Sequence, residues 1–564
     1  MLPAADGTFR LDADVFDYTI IALYFGVVLA IGLMARRQIS TSLDFFLSGR
    51  SLPAWVTGLA FISANLGAVE IMGMSANGAE FGMATVHYFW VGAVPAMLFL
   101  GIVMMPFYYG SGVRSVPEFM RKRFGTGAHL VNAISFAVAQ LLIAGINLYL
   151  LATILNRLLG WQLWVSLVVA AAIVLSYTAL GGLSAAIYNE VLQFFVIVAA
   201  LLPLTLIALH KVGGWDGIKE KVQPNQEQLS SWPATDLTGI DNPILSVIGI
   251  VFGLGFVLSF GYWTTNFVEV QRAMASNSVS AARRTPIIGA FPKMFVPFIV
   301  IVPGVIAAII IPEMVDLKAG EGGSDVKYND ALLLLMRDLL PNGMLGVAIA
   351  GLLAAFMAGM AANVSAFNTV FSYDLWQQYV VKDREDDYYT RVGRIATVAA
   401  TVLAIGTAAI ASNYSNLMDY LQTLFGFFNA PLFATFILGM FWKRMTATAG
   451  WVGLVSGTLA AVVVAFLSED SFGSASLGVL GIAGQGASFV AAGAAFVVDI
   501  IVSIVVSLRT RPKSEADLKG LVYSLTPKES LVDADEGKIP WYQSPTKLAG
   551  IALVMVIILN LLFL

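Results

Sequence analysis

From Phe16 to Leu564 the chain is a succession of long apolar runs separated by shorter polar stretches. Within a run the apolar positions follow one another without alternation. That is the pattern of helices apolar all round, not of half-buried strands. About 20 apolar residues of helix cross a bilayer core, and lipid admits only helices and closed barrels because it cannot satisfy a free backbone. The pattern predicts an all-α membrane protein with about 14 transmembrane helices, at 15–36, 53–75, 82–108, 128–158, 161–180, 184–210, 243–271, 287–312, 341–375, 391–412, 416–441, 446–467, 476–507 and 545–563. The polar stretches 211–242, 313–340 and 508–544 are too short for separate domains, so 1–564 reads as one polytopic unit.

Lysine and arginine sort the connecting stretches into two alternating sets. One holds Arg36, Arg37 and Arg50; Arg114, Arg121, Lys122 and Arg123; Arg272, Arg283 and Arg284; Lys382, Arg384, Arg391 and Arg394; Lys443 and Arg444; and seven residues between 508 and 548, 23 in all. The other holds 8: Arg10, Arg157, Lys211, Lys219, Lys221, Lys318, Lys327 and Arg337. Positively charged loops face the cytoplasm. The expectation is a multi-pass protein of the cell membrane with both termini outside, since a missed span would scramble the alternation downstream.

Composition narrows the classes further. At 58% hydrophobic and 12% charged, the chain is far from a soluble domain, in which about a quarter of residues are charged. There is no cysteine, so thiol chemistry and disulfides are excluded, and His87, His129 and His210 have no ligand spacing. Net charge is -4 without a polybasic tract, so no nucleic-acid partner is expected. The acidic N-terminus lacks the features of a signal peptide.

Two segments break their own apolar rule. The segment 53–75 carries Ser63, Asn65, Gly67 and Glu70 at its middle. A mid-membrane carboxylate costs about 2.5–3.5 kcal/mol on insertion scales, and Glu70 lies too deep to snorkel, so it should face a cavity or partner. The segment 243–271 carries Ser259, Gly261, Thr264, Thr265 and Asn266 at mid-span. Interrupted helices in corresponding positions of two halves point to a transporter site. Five segments from each break give a first repeat at 53–210 and a second at 243–441, inverted because five is odd. The segment 15–36 leads and 446–564 trails.

Lys293 is the one lysine inside a span, and Glu70 is its candidate partner. Glu190 reads equally as gate or fold. Glu269, beside Arg272, reads as structural, and so does His87, although His87 and Tyr88 could reach a cavity.

The stretches DFFLSGRSLPAW (44–55), SANLGAVEIMGMS (63–75), SVPEFMRKRFG (115–125), LSYTALGGLSAAIYNEVLQFF (175–195), KMFVPFIVIVPG (293–304) and ILGMFWKRMTATAG (437–450) resemble the sodium/solute symporter family over roughly 16–470, nearest to its sodium/galactose and sodium/glucose members. The resemblance implies the LeuT-type five-plus-five inverted repeat with one leading and three trailing helices. It implies solute contacts from Asn65, Lys293 and Gln422, with Tyr262 as inner gate; Tyr88, if it reaches the cavity, joins them. Phe89, Gly92 and Ser259 stand where the sugar symporters carry glutamate, serine and asparagine, and Glu70 where they carry glutamine or histidine. The implied sodium site takes backbone oxygens at Ser63, Leu66 and Ala355, but its two hydroxyls are missing at Ala358 and Gly359. Glu190 stands at a coupling aspartate.

The expectation is therefore cation-coupled symport of a small polar solute, a hexose first, by alternating access in a single-chain unit. Sodium is the expected coupling ion, completed by the Ser63 side chain, Ser365 or water. A proton on Glu70 or an uncoupled carrier are the alternatives. No organic cofactor is expected. Amino acids, polyols and organic acids stay open as solutes, and so does a non-transporting solute sensor. No nucleophile and base converge at mid-membrane, so an enzyme is not expected.

Overall fold

The computed structural model describes residues 10–36, 48–67, 69–110, 113, 115–222, 226–320, 326–414, 417–469, 476–527, 531 and 539–564. Arg37, Arg114, Lys528, Lys538 and the start of the 44–55 motif lie outside them. Among the described residues there is no strand, only an isolated bridge between Leu52 and Ser276. The helices used below are α1 Val15–Arg36, α2 Ala54–Asn65, α3 Met74–Phe81, α4 Thr126–Leu159, α5 Leu163–Val212, α6 Phe260–Thr265, α7 Phe267–Met274, α8 Val279–Ile310, α9 Met344–Thr369, α10 Asp386–Ala411, α11 Leu417–Phe441, α12 Ala447–Leu467, α13 Gly484–Arg509 and α14 Pro545–Leu562.

Eleven helices are long and apolar enough to cross a membrane, twelve with the bent pair Ala54–Asn65 and Val69–Val86. Shorter apolar stretches, Val15–Ile31 and Leu163–Ser176, fall within the remaining two expected segments, so the count of 14 stays an expectation. Several boundaries differ from the apolar pattern; the segment expected at 476–507, for one, becomes helical only at Gly484. The first broken span continues past 75 to Gly82, whose φ of +71° ends α3. The segment expected at 287–312 begins at Val279, because Ser278 caps α8 by accepting from Ala281 N at 3.1 Å. The segments 161–180 and 184–210 form one helical run, α5.

Burial orders the helices. The span Met344–Val380 is 89% buried, against 33% for Ala447–Leu467 and 22% for Pro545–Leu562. The polar break points are thus wrapped from outside, as a membrane requires of any backbone that leaves its helix. Stretches on the charge-poor side meet one another: Leu11 N donates to Arg157 O at 3.2 Å, and Lys318 Nζ to Gln228 Oε1 at 2.7 Å. Charge-rich stretches do the same, with Arg50 on Val113 O at 2.8 Å and Lys443 on Glu515 at 2.6 Å. Each of these contacts joins stretches of the same set.

α8 packs on both halves of the first broken span. Its contact with α3 depends on glycine from each side: a Cβ on Gly304 would lie 1.9 Å from Ser75 O, and one on Gly78 would lie 2.4 Å from Ile301 O. Backbones touch here because no side chain intervenes. Gly304→Ala is expected to cost about 1–3 kcal/mol by overpacking and to lower the thermal unfolding midpoint of the detergent-purified protein. Gly406→Ala, which meets open space, should leave the midpoint unchanged.

Candidate functional site

The first broken span loses its helix after Asn65, where Leu66 has φ -71° and ψ 48°, and resumes as a π-helical turn, Val69–Gly73, that carries Glu70. The two halves meet at 57°. The second is a π-helix, Gly249–Ser259, then α6, then Asn266 in an extended conformation, then α7. Asn266 caps α7, its side chain accepting from Val268 N at 3.0 Å. Tyr88, Phe89 and Gly92 lie on another π-helical turn, Tyr88–Ala93. Wider turns of this kind recur at functional sites.

Between the breaks is a cavity lined by Asn65, Glu70, Tyr88, Ser259, Tyr262, Lys293 and Gln422, with Gly359 on its wall. Lys293 Nζ pairs with Glu70 Oε1 at 2.5 Å and also donates to Asn65 Oδ1. The ammonium lies 4.6 Å from the Phe89 ring centre and 5.3 Å from that of Trp263. So Phe89, absent from the cavity wall, backs the cation from behind. Asn65 Nδ2 donates to Tyr262 Oη at 3.1 Å, and Tyr262 donates to Glu269 Oε1 at 2.7 Å. Ser259 fits because its neighbour is Gly92, where a Cβ would lie 2.2 Å from Ser259 Oγ.

The positions expected to hold sodium cluster against the first break. Ser63, Leu66, Ala355 and Ala358 are buried. A Cβ on Gly67 would lie 3.3 Å from Gly359 Cα and 3.8 Å from Ala355 O. Ser63 Oγ is buried without a hydrogen-bond partner. Asn147 of α4, which sequence reading passed over, brings Oδ1 to 2.8 Å from where a Gly359 Cβ would stand. Its signal was there: an amide at the middle of an apolar run. Among the described residues no His/Cys/Asp/Glu group could hold a metal.

Two further residues were missed. Gln485, at the start of α13, receives the Tyr88 hydroxyl and donates to Asn77 Oδ1 at 3.3 Å. Asp419 of α11 joins the same group through Gln485. Tyr88 joins this polar group to the cavity wall. Glu190 lies apart from the cavity and holds Arg272 by two bonds, at 2.6 and 3.3 Å, with both side chains fully buried. His87 contacts Ser231 O at 2.6 Å and Trp232, away from the cavity wall.

Two broken spans facing each other across a polar, mid-membrane cavity define a secondary transporter. The chain belongs to the sodium:solute symporter family, whose model matches residues 45–457. It is a sodium-coupled carrier of a small solute, not an enzyme. It is 30% identical to the sodium/glucose cotransporter of Vibrio parahaemolyticus, over 80% of this chain and 85% of that one. It is also 30% identical to the human sodium/myo-inositol cotransporter 2, over 79% of this chain and 69% of that one. A solved structure of a Na+-coupled sialic acid symporter, substrate-bound and outward-open, shares the fold with a TM-score of 0.73 at 18% identity, covering 89% of this chain and 99% of that one. The LeuT-type fold follows.

The Glu190–Arg272 pair separates fold from gate. Removing one partner of a buried pair costs about 3–5 kcal/mol, whereas replacing both with neutral groups of similar volume is often neutral. Glu190→Ala should lower the unfolding midpoint sharply, and Glu190→Gln with Arg272→Met should restore it. Uptake that returns with the midpoint assigns the pair to the fold; uptake that stays lost assigns it to gating.

Proposed function

We propose that the protein couples sodium entry to uptake of a neutral polyhydroxylated solute, a hexose first. The observation that carries this is the Lys293–Glu70 pair. It leaves the cavity wall polar but without net charge, so an anion or cation would bring an uncompensated charge into a desolvated site. Hydroxyls could instead share the donors and acceptors of Asn65, Lys293, Glu70 and Gln422. The ring of Tyr262, itself 4.7 Å from that of Phe425, offers an apolar face to a sugar ring. The relatives named for glucose and myo-inositol support the same chemical class.

Sodium would sit at the first break, on backbone oxygens of Ser63, Leu66 and Ala355. The hydroxyl of Ser63 and the amide oxygen of Asn147 supply the hard donors that Ala358 and Gly359 lack. The cycle is alternating access: ion and solute enter past the polar group around Gln485, and the cavity then opens inward past Tyr262. Ion binding drives this only by favouring one state over the other. The charge-rich face is cytoplasmic, which places both termini outside a cell membrane, and the working unit is one chain built from the repeats 53–210 and 243–441.

Labelled hexose uptake into proteoliposomes tests the reading under a sodium gradient, a proton gradient, and neither. Concentration with sodium alone is expected. Lys293→Ala and Gln422→Ala should each cut the initial rate about tenfold or more, the scale of a lost buried hydrogen bond to a charged group or its equivalent. Normal transport by both variants would overturn the site. Uptake of a zwitterionic amino acid in place of hexose would mean that solute splits the ion pair. Ser63→Ala should raise the sodium concentration for half-maximal uptake.

A further inference from the structure

Tyr262 stands on α6 and Glu269 on α7, with the extended Asn266 between them. Their hydrogen bond, 2.7 Å long, therefore crosses the break in the second span and fixes the angle between its halves. The Glu269 side chain is fully buried, and its second oxygen, Oε2, has no hydrogen-bond partner.

Both nearby cations are committed elsewhere. Arg272 gives its donors to Glu190, to Val268 O at 3.0 Å and to Gln271 Oε1 at 3.3 Å. Lys293 gives its own to Glu70 and Asn65. Glu70, Glu190 and Glu269 thus face two cations, and Glu269 is the carboxylate left over. The titratable groups acting on it are Tyr262, Arg272, Lys293 and Glu190. α2 and α9 also pack on α7 and carry none. The helix Met105–Gly110 brings Tyr108, whose hydroxyl is held by Thr264 O at 2.9 Å, and Tyr109, held by Ser276 O at 3.0 Å. A buried carboxylate without a counter-charge is costly and is relieved by neutralisation. Sodium would need several oxygens, and Tyr262 supplies the one hydrogen bond here. A proton needs only Oε2.

We propose that Glu269 is a proton-binding site, separate from the sodium positions, and that its loading releases the Tyr262 latch across the Asn266 hinge. The proton passes from water to Oε2, leaving a neutral acid. The Tyr262 bond then ceases to be charge-assisted and loses about half its strength, so the halves of the span are freed to change their angle. The latch rests on the reading of Tyr262 as the inward gate; the proton site does not.

The test is infrared difference spectroscopy of the purified full chain in lipid between alkaline and acid buffers, in choline and in sodium. The expected result is a protonated-carboxyl band lost in Glu269→Gln, which keeps an acceptor for Tyr262. In Tyr262→Phe the band should appear at higher pH, because a donor that stabilised the charged form is gone. In sodium-driven hexose uptake, the wild-type rate should rise several-fold toward acid while that of Glu269→Gln stays flat. Identical spectra for wild type and Glu269→Gln overturn the proton site. A Tyr262→Phe titration unmoved from wild type overturns the latch. Carboxylate bands that respond to sodium but not to pH overturn the assignment of the ligand as a proton. The spectra need no solute, so failure of the hexose reading alone leaves them standing.

Discussion

A backbone that leaves its helix inside a membrane must have its polar groups satisfied by protein or by enclosed water. Here the chain does so twice, at Leu66 and Asn266, and the rest of the architecture answers that demand. The two breaks face each other, Asn266 caps its own half-helix, and the most buried span, Met344–Val380, closes the wall behind them. Glycines at 67 and 359 let the wall approach the first break without an intervening side chain. The less buried helices α12 and α14 form the outer layer toward lipid.

The same enclosure gives the charged groups their roles. In water, Glu70 and Lys293 would contribute little as a pair; in a desolvated cavity each needs the other, and Phe89 and Trp263 add their ring faces to the ammonium. Their mutual neutralisation leaves the cavity wall polar but without net charge. The pair Glu190–Arg272 is more deeply buried, lies apart from the wall of this cavity and ties α7 to α5. Glu269 receives a single donor. Three carboxylates that look alike in the sequence are thereby divided by their neighbours.

Much of the fold was legible because lipid imposes a coarse rule: every apolar run read from the pattern has a helical stretch beneath it. Asn65, Glu70 and Lys293 were legible for the same reason, since polar groups in apolar runs are expensive enough to require a use. Boundaries were less so. The end of α3 at Gly82 and the start of α8 at Ser278 depend on a left-handed glycine and a cap, which hydropathy does not weigh. Gln485 was missed although it falls inside the expected segment 476–507, because it meets Tyr88 only through the packing of a trailing helix. Glu269 looked structural beside Arg272, but Arg272 turns instead to Glu190, 82 positions away in the chain. No local reading contains that choice.

The small bridge between Leu52 and Ser276 joins the chain just before the first broken span to the chain just after the second. Leu52 N donates to Ala275 O at 3.2 Å, and Asn277 N donates to Leu52 O at 2.9 Å. It is a strap across the base of two levers. With their feet tied and their sides in contact, α2 and α7 are joined by backbone as well as by packing, a constraint on either one tilting without the other.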